Sequence, residues 1–180
     1  MRVIAGQRKG FRLDAPPGTE TRPTSDRARE ALFSILGDVE GLTVLDAFAG
    51  SGGLGLEALS RGADRATFCD TSTAALRVLR DNIERCGYTD RARVHRQDAR
   101  RRMAADHDAG VTYELILLDP PYRMLPVLQT SFALHLPALL VPDGLVTIES
   151  SGSADAPALP LQLETTRLRG DVRLTVYRNG

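Results

Sequence analysis

The residues best suited to chemistry are Asp119-Pro120-Pro121-Tyr122, which follow a strand-like run at residues 113–118. A short apolar run is typical of a central strand covered on both faces, and open α/β sheets bind ligands at the carboxyl ends of such strands. The two prolines fix the backbone and remove two N–H donors. The Asp119 carboxylate and the Pro120 carbonyl are then acceptors beside the Tyr122 ring, which suits a planar group with an exocyclic NH2. The alternative is a proline-stiffened turn after a buried strand.

A second group is the glycine-rich turn Gly50-Ser51-Gly52-Gly53-Leu54-Gly55, which follows one strand-like segment and opens a helical one. Glycines allow positive φ and a close approach of the backbone to a ligand. The spacing of Gly50, Gly52 and Gly55 also satisfies the dinucleotide fingerprint, which alone is weak evidence. Asp70 ends the next strand-like segment, where it can accept both ribose hydroxyls of an adenosine.

Three acids at predicted strand ends separate two possible cofactors. Asp46 precedes the glycines, where a carboxylate would repel the pyrophosphate of NAD but attract the sulfonium and ammonium groups of S-adenosylmethionine. Asp98 ends the third strand and could accept a hydrogen bond from an adenine amine. The acceptors at Asp119 have no evident role in hydride transfer. Together the acids favour S-adenosylmethionine, although each has a structural alternative, such as a helix N-cap at Asp98.

Strand-like and helical segments alternate from residue 42 onward. We predict strands at residues 43–47, 66–70, 92–96, 113–119 and 145–150, and helices at 53–61, at 73–86, directly after 98 and at 125–140. This order implies a parallel sheet with right-handed crossovers. Segments 161–168 and 172–178 have no helix between them, which predicts an antiparallel hairpin. The predicted fold class is therefore α/β, with a Rossmann-like sheet of the class I methyltransferase type, mostly parallel, and a C-terminal antiparallel hairpin.

The N-terminal residues stand apart from this pattern. Segments 3–5 and 11–13 flank a glycine-containing turn, which predicts a small basic hairpin. Prolines then mark a loop, and Ser25 is a good N-cap for a helix that ends at Gly37. We therefore divide the chain into an N-terminal hairpin and loop at residues 1–24 and a methyltransferase domain at residues 25–180.

Charge and composition limit the function classes. The formal net charge is zero, but basic residues exceed acidic ones in residues 1–30 and 91–102, as expected for two patches that bind a phosphate backbone. The two cysteines and three histidines have no metal-ligand spacing. No apolar run approaches the roughly 20 residues of a membrane span, and the first residues lack the apolar core of a signal peptide. We expect a cytosolic protein without metal or membrane, and a monomer, since no predicted helix has a spare apolar face.

Four blocks of the sequence resemble the bacterial 16S ribosomal RNA guanine-N2 methyltransferases, the RsmD family. They are DAFAGSGGLGLEALSRGA at residues 46–63, GQRKGFRL at 6–13, RPTSDRAREALF at 22–33 and DPPY at 119–122. The resemblance covers the whole chain, and the two N-terminal blocks are its most particular part. The family more often has Glu at position 70 and a second acid at position 72, where this chain has Asp70 and Ser72.

The resemblance implies a cytoplasmic enzyme that methylates the N2 amine of one guanine on a largely assembled small ribosomal subunit. It implies that Asp119, Pro120 and Tyr122 contact the target base. The implied cofactor is S-adenosylmethionine, with Asp46, Gly50 and Gly52 at its methionine end, Asp70 at its ribose and Asp98 at its adenine, and we add Phe48 and Ala99 to this set.

The substrate implied is RNA of the 30S subunit. The target base would lie in an exposed loop or be flipped out, then stack on Tyr122. Phosphates around it would be held by basic residues near the N-terminus, which position the RNA rather than read it. These residues are Arg8, Lys9, Arg12, Arg22, Arg27 and Arg29.

Other functions stay open at this point. An amino-methyltransferase of the same type could act on DNA adenine, although such enzymes usually carry an extra target-recognition region. It could act on a protein glutamine, although that reaction would favour Asn where Asp119 stands. A nicotinamide-dependent oxidoreductase and an arginine-rich ribosome-binding protein without catalysis are alternatives from different classes.

Overall fold

The computed structural model describes residues 1–16 and 26–180, and its centre is one seven-stranded sheet. The strands are β1 Thr43–Asp46, β2 Arg65–Asp70, β3 Ala92–Arg96, β4 Tyr113–Leu118, β5 Leu140–Ser151, β6 Gln162–Arg169 and β7 Val172–Arg178. Their order across the sheet is β3-β2-β1-β4-β5-β7-β6. The first five strands run parallel, and β7 is antiparallel to both β5 and β6. This confirms the predicted α/β class and the terminal antiparallel hairpin.

Helices cover both faces of the sheet. They are α1 Asp26–Leu36, α2 Gly53–Ser60, α3 Thr73–Cys86, α4 Ala99–Asp108 and α5 Leu125–Leu139. Alternate residues of β4 point to opposite faces: Leu115 and Leu117 join the core with α1, α2 and α3, whereas Ile116 and Leu118 join the core with α4 and α5. This two-sided burial explains why β4 is a continuous apolar run, and it makes β4 a fixed support for the residues that follow it.

The fifth strand begins earlier than predicted, at Leu140 instead of residue 145. Residues 140–144 contain a proline and a glycine, which argue against a strand. The segment is nevertheless paired, since Leu140 lies opposite Tyr113 and the register shifts before Leu115 lies opposite Leu145. The early start of β5 therefore depends on its pairing with β4 through a bulge, and β4 is distant in sequence.

The N-terminal residues form a hairpin-like loop with a 3-10 helix, Gly6–Arg8, at its turn, and the predicted segments 3–5 and 11–13 are not strands. Arg2 and Arg12 make an antiparallel bridge, and the Val3 N–H donates to the Phe11 carbonyl at 2.9 Å. Val3 and Leu13 are buried in the same core as α1, α2 and α3. The hairpin is thus packed into the body of the protein. The predicted boundary between residues 24 and 25, and the predicted cap Ser25, lie outside the described residues.

The outer face of α5 differs from what the sequence led us to expect. Val127 and Leu134, two turns apart on this helix, are each 64% exposed. Thr130, between them on the same side of the helix, is also exposed, and the monomer stays a prediction. In the part of the chain that the structure describes, no helix has both the length and the apolar character needed to cross a membrane.

Candidate active site

The glycine-rich turn connects the end of β1 to the start of α2. Gly52 has a φ of 94°, and a Cβ at this position would collide with the Leu79 side chain. A Cβ at Gly55 would collide with the Phe68 ring on β2. Glycine is therefore needed at Gly52 for conformation and space, and at Gly55 so that α2 packs closely on the sheet. The result is a tight turn at the carboxyl edge of the sheet, in which Gly50, Ser51 and Gly53 are partly accessible.

Asp46 lies under this turn and is almost fully buried. Its Oδ2 accepts a hydrogen bond from the Gly55 N–H at 2.9 Å, while no described residue donates to its Oδ1. Burial, together with the nearby carboxylates of Asp119 and Asp70, raises the pKa of the Asp46 carboxyl to about 7. A buried carboxylate oxygen without a donor, surrounded by other carboxylates, is a site that favours a cation.

Asp70 supports the turn from the end of β2. Its Oδ2 accepts from the Gly50 N–H at 2.9 Å, and its Oδ1 accepts from the Ser72 N–H at 2.8 Å. Each carboxylate oxygen keeps further acceptor capacity, so the predicted bonds to ribose hydroxyls are compatible with these contacts. Ser72, where the family more often has an acid, accepts from the Ala75 N–H and caps α3.

The predicted adenine contacts lie at the start of α4. Asp98 is the N-cap of that helix, where its carboxylate accepts from the Arg100 N–H at 3.0 Å. The hydrogen bond from the Arg100 guanidinium lowers the pKa of Asp98. Ala99 is buried beside it, and the half-buried Phe48 ring packs edge-on against Phe132 at 6.5 Å. Asp98 therefore has the N-cap role that was the structural alternative, and its hydrogen bond to an adenine amine stays a prediction.

The predicted catalytic residues follow β4 at the same edge. Asp46 pairs with Leu117 in the sheet, so Asp119, two residues after Leu117, lies near Asp46. The charge of Asp119 contributes to the raised pKa of Asp46. Asp119 is half-buried and Pro120 is buried, whereas Tyr122 is 40% exposed. The structure therefore brings Asp46, Asp70 and Asp119 together, with an accessible aromatic ring next to them.

Glu149 is a candidate residue that the sequence analysis missed. It is buried at the carboxyl end of β5, and its Oε1 accepts a hydrogen bond from the Tyr122 hydroxyl at 3.2 Å. The signal was present in the sequence, because Glu149 follows an apolar strand in the same way as Asp46, Asp70 and Asp119. Glu149 fixes the hydroxyl end of the tyrosine, which leaves the ring to present its face.

A cleft of about 420 Å³ lies beside Tyr122, between the start of α5 and residues 154–158. Its volume is in the range of small-molecule sites. Ser150 lines the cleft and is fully buried, and no partner for its Oγ occurs in residues 1–16 or 26–180. Space and an unused polar atom are thus present next to the aromatic ring.

The predicted phosphate contacts divide into exposed and buried residues. Arg8, Lys9, Arg12 and Arg27 are exposed, and Arg22 lies outside the described residues. Arg29 is fully buried: it donates to the Arg2 carbonyl and, at 2.9 Å, to Asp26, and its Nε lies 3.8 Å from Glu57. The prediction that Arg29 contacts RNA is wrong because this guanidinium is enclosed within the protein.

Comparison with known proteins gives consistent matches along the chain. The family model described as "Conserved hypothetical protein 95" matches residues 1–178. "Putative rRNA methyltransferase YlbH" of Bacillus subtilis is 37% identical over 168 residues, which cover 93% of this chain and 91% of that protein. "Ribosomal RNA small subunit methyltransferase D" of Escherichia coli strain K12 is 34% identical over 181 residues, which cover 99% and 89%.

A solved structure described as "Putative methyltransferase yhhF from Escherichia coli" has a TM-score of 0.85 and 30% identity. The match covers 99% of this chain and 97% of that one. The sheet order and its antiparallel end are therefore those of the class I methyltransferases. The chain belongs to the RsmD family, the family of the ribosomal RNA small subunit methyltransferases D.

Proposed function

We propose that this protein transfers a methyl group from S-adenosylmethionine to the exocyclic N2 amine of a guanine in 16S ribosomal RNA. The substrate would be an assembled or nearly assembled 30S subunit in the cytoplasm. The observation that carries the proposal is the group of carboxylates at the strand ends, where one oxygen of Asp46 has no donor among residues 1–16 and 26–180 and lies near the charges of Asp70 and Asp119. The relatives named as ribosomal RNA methyltransferases support the broader activity, methyl transfer to ribosomal RNA.

The residues of the glycine-rich turn fit S-adenosylmethionine better than NAD. A buried carboxylate at Asp46 stabilises an ammonium or sulfonium cation and repels a pyrophosphate. Asp46 would hold the methionine end, Asp70 would accept from the ribose hydroxyls, and Asp98 would accept from the adenine amine. When bound, S-adenosylmethionine supplies a methyl group that is already activated by a positively charged sulfur. The protein therefore has mainly to orient the acceptor amine.

Asp119 and Pro120 act on that amine. The lone pair of a guanine N2 is delocalised into the ring, so the amine is a poor nucleophile. Acceptance of its two hydrogens by the Asp119 carboxylate and the Pro120 carbonyl localises the lone pair, and it stabilises the positive charge that develops on nitrogen. The methylated nitrogen then releases a proton readily, so a strong base is not required. Tyr122 stacks on the base, as aromatic residues do on unstacked RNA bases.

The exposed cations would hold the surrounding RNA. Arg8, Lys9, Arg12 and Arg27 are accessible to phosphates, and phosphate contacts set the position and the salt dependence of binding. We also propose that Arg22 contributes to this surface. Because the hairpin that carries Arg8, Lys9 and Arg12 is packed against α2 and α3, these cations have a fixed position relative to the active site.

The test compares wild type with Asp119→Ala on unmodified 30S subunits and tritium-labelled S-adenosylmethionine. We expect wild type to label the 16S RNA and the variant to be slower by about 10²–10³-fold, since one preorganised group at a developing charge is lost. Calorimetric titration with S-adenosylhomocysteine should give similar affinities for both proteins. Near-normal turnover of the variant would refute the role of Asp119, and binding of NADH but not S-adenosylhomocysteine would refute the proposed function.

A further inference from the structure

Asn82 is a fully buried amide on α3 that joins two segments distant in sequence. Its Oδ1 accepts from the Asp14 N–H at 3.0 Å, and its Nδ2 donates to the Asp14 carbonyl at 3.0 Å. Nδ2 also donates to the Ser51 carbonyl at 3.0 Å. Both amide hydrogens are therefore used, and they link the glycine-rich turn to the chain that leaves the N-terminal hairpin.

The two partners of Asn82 belong to different proposed binding regions. Ser51 lies between Gly50, whose N–H donates to Asp70, and Gly52, which has left-handed φ. The direction of the Ser51 carbonyl is therefore part of the conformation of the turn. Asp14 directly follows the hairpin that carries the exposed cations, and its main chain, not its side chain, contacts Asn82.

A second buried group connects the same two regions. Glu57 on α2, the helix that the glycine-rich turn opens, accepts from the Ile4 N–H at 2.7 Å and from the Ala5 N–H at 3.0 Å. Each arm of the hairpin is thus bonded to an element next to the turn, the first arm through Glu57 and the second through Asn82. The Asn82 and Glu57 side chains are fully buried, and a buried polar group is costly to leave without a partner, so a shift of either region would disturb these bonds.

We propose that Asn82 is a positioning residue that couples RNA binding to cofactor binding. The inference rests on the proposed function, since it assigns the turn to the cofactor and the hairpin to RNA. A ligand that orders the turn holds the Ser51 carbonyl in place, which fixes Asn82 and through it Asp14. Coupling of this kind is reciprocal, so a bound subunit increases cofactor affinity by the same factor as the cofactor increases subunit affinity.

The test measures the affinity of unmodified 30S subunits with and without saturating S-adenosylhomocysteine. For wild type we expect the ligand to strengthen subunit binding by at least about fivefold. Asn82→Ala should lower this ratio well below the wild-type value, and the link through Glu57 accounts for any coupling that stays. The matched control is Asp14→Ala, which removes a surface carboxylate paired with Arg85 but keeps the main-chain bonds to Asn82, so it should retain the wild-type ratio.

A residue that only stabilised the fold would change the melting temperature and leave the ratio unaltered. That outcome for Asn82→Ala overturns the proposal.

Amide hydrogen exchange of the wild-type protein gives a second test that does not depend on a variant that folds. The Asp14 N–H is itself a donor to Asn82, so its exchange reports this bond. We expect S-adenosylhomocysteine to slow that exchange by at least about fivefold, with no change for amides of β6 and β7 at the far edge of the sheet. Unchanged exchange at Asp14 in protein that binds the ligand overturns the inference. Absence of any ligand binding would instead refute the proposed function.

Discussion

The two halves of the site hold their functional groups in different ways. On the cofactor side, which comprises the glycine-rich turn, α2 and the buried residues packed on α2, the charged groups are bonded to main chain, as Asp46 is to Gly55 and Asp70 to Gly50. On the target side, which comprises residues 119–122 and the exposed cations, Tyr122 is held by a side chain and presents an accessible ring. We therefore expect substitutions on the cofactor side to affect both folding and binding, and substitutions on the target side to affect substrate binding or turnover with little effect on the fold.

The largest effect on folding is expected from Arg29→Ala on the cofactor side. This substitution removes one of the two guanidinium groups beside the buried Glu57, since Arg61 stays at 2.7 Å, and it removes a donor to the Arg2 carbonyl. Breaking a buried ion pair completely costs about 3–5 kcal/mol, which is the upper limit here because Arg61 still pairs with Glu57. Urea denaturation should show this loss in the free energy of unfolding. Arg27→Ala, on the exposed face of the same helix, is the control and should change stability by less than about 0.5 kcal/mol. Equal changes in the free energy of unfolding for the two variants would contradict the distinction between the cofactor side and the target side.

Asp46→Asn should change stability in a pH-dependent way. The raised pKa of Asp46, about 7 in the folded protein, means that the folded state binds this proton more tightly than the unfolded state. The contribution to stability is therefore complete below about pH 4 and is lost as the pH rises to about 7. At pH 8 the cost of the ionised group is up to about 4 kcal/mol. We expect the ligand-free Asn variant to be more stable than wild type at pH 8 and to show a flatter pH profile in thermal unfolding.

The same substitution should weaken cofactor binding, because the neutral amide loses its charge interaction with a cation. Hydrogen bonds to charged groups contribute about 1.5–3 kcal/mol, which corresponds to a loss of roughly 10- to 150-fold in affinity. Calorimetric titration with S-adenosylhomocysteine measures this loss of affinity. A variant with unchanged affinity and the wild-type pH profile would show that Asp46 neither carries the buried charge nor contacts the ligand.

Tyr122 should show the opposite behaviour, with an effect on the substrate and not on folding. Stacking of one base on an aromatic ring contributes about 1–3 kcal/mol, so Tyr122→Ala should raise KM for 30S subunits by roughly 5- to 150-fold. Tyr122→Phe keeps the ring and loses only the bond to Glu149, so its KM should rise by less. If Phe is as damaging as Ala, the hydroxyl and not the ring face is the functional part.

The smallest effect is expected from the exposed cations. Arg27→Ala should weaken subunit binding several-fold and reduce the slope of log affinity against log salt by about one. Affinity for S-adenosylhomocysteine should be unchanged. A salt slope equal to that of wild type would remove Arg27 from the proposed RNA surface.

The acidic residues at the carboxyl edge of the sheet could be predicted because the signals that mark them are local in sequence. Asp46, Asp70 and Asp119 each follow an apolar strand, and parallel strands bring their carboxyl ends to one edge. Arg29 was misassigned because its charge was considered without its position on the helix. It precedes the buried Leu32 and Phe33 by three and four residues, which places all three on one face.

Other features depend on partners that spacing along the chain does not indicate. Asn82 contacts residues 31 and 68 positions away, and Glu57 contacts residues 52 and 53 positions away. Glu57 is the single charged residue of the apolar helix α2, which indicates a buried charge but not its partners, and nothing in the local pattern of α3 distinguishes Asn82 from an ordinary polar residue. Only the packing of the hairpin against both helices brings them into contact with its main chain.

The most direct test of the central claim is to identify the methylated atom. Unmodified 30S subunits are incubated with the protein and S-adenosylmethionine, and the 16S RNA is digested to nucleosides for mass spectrometry. We predict one additional N2-methylguanosine per subunit, present with wild type and strongly reduced with Asp119→Ala. Methylation of an adenine, of a different guanine atom or of a ribosomal protein would contradict the assignment of residues 119–122 to a guanine amine.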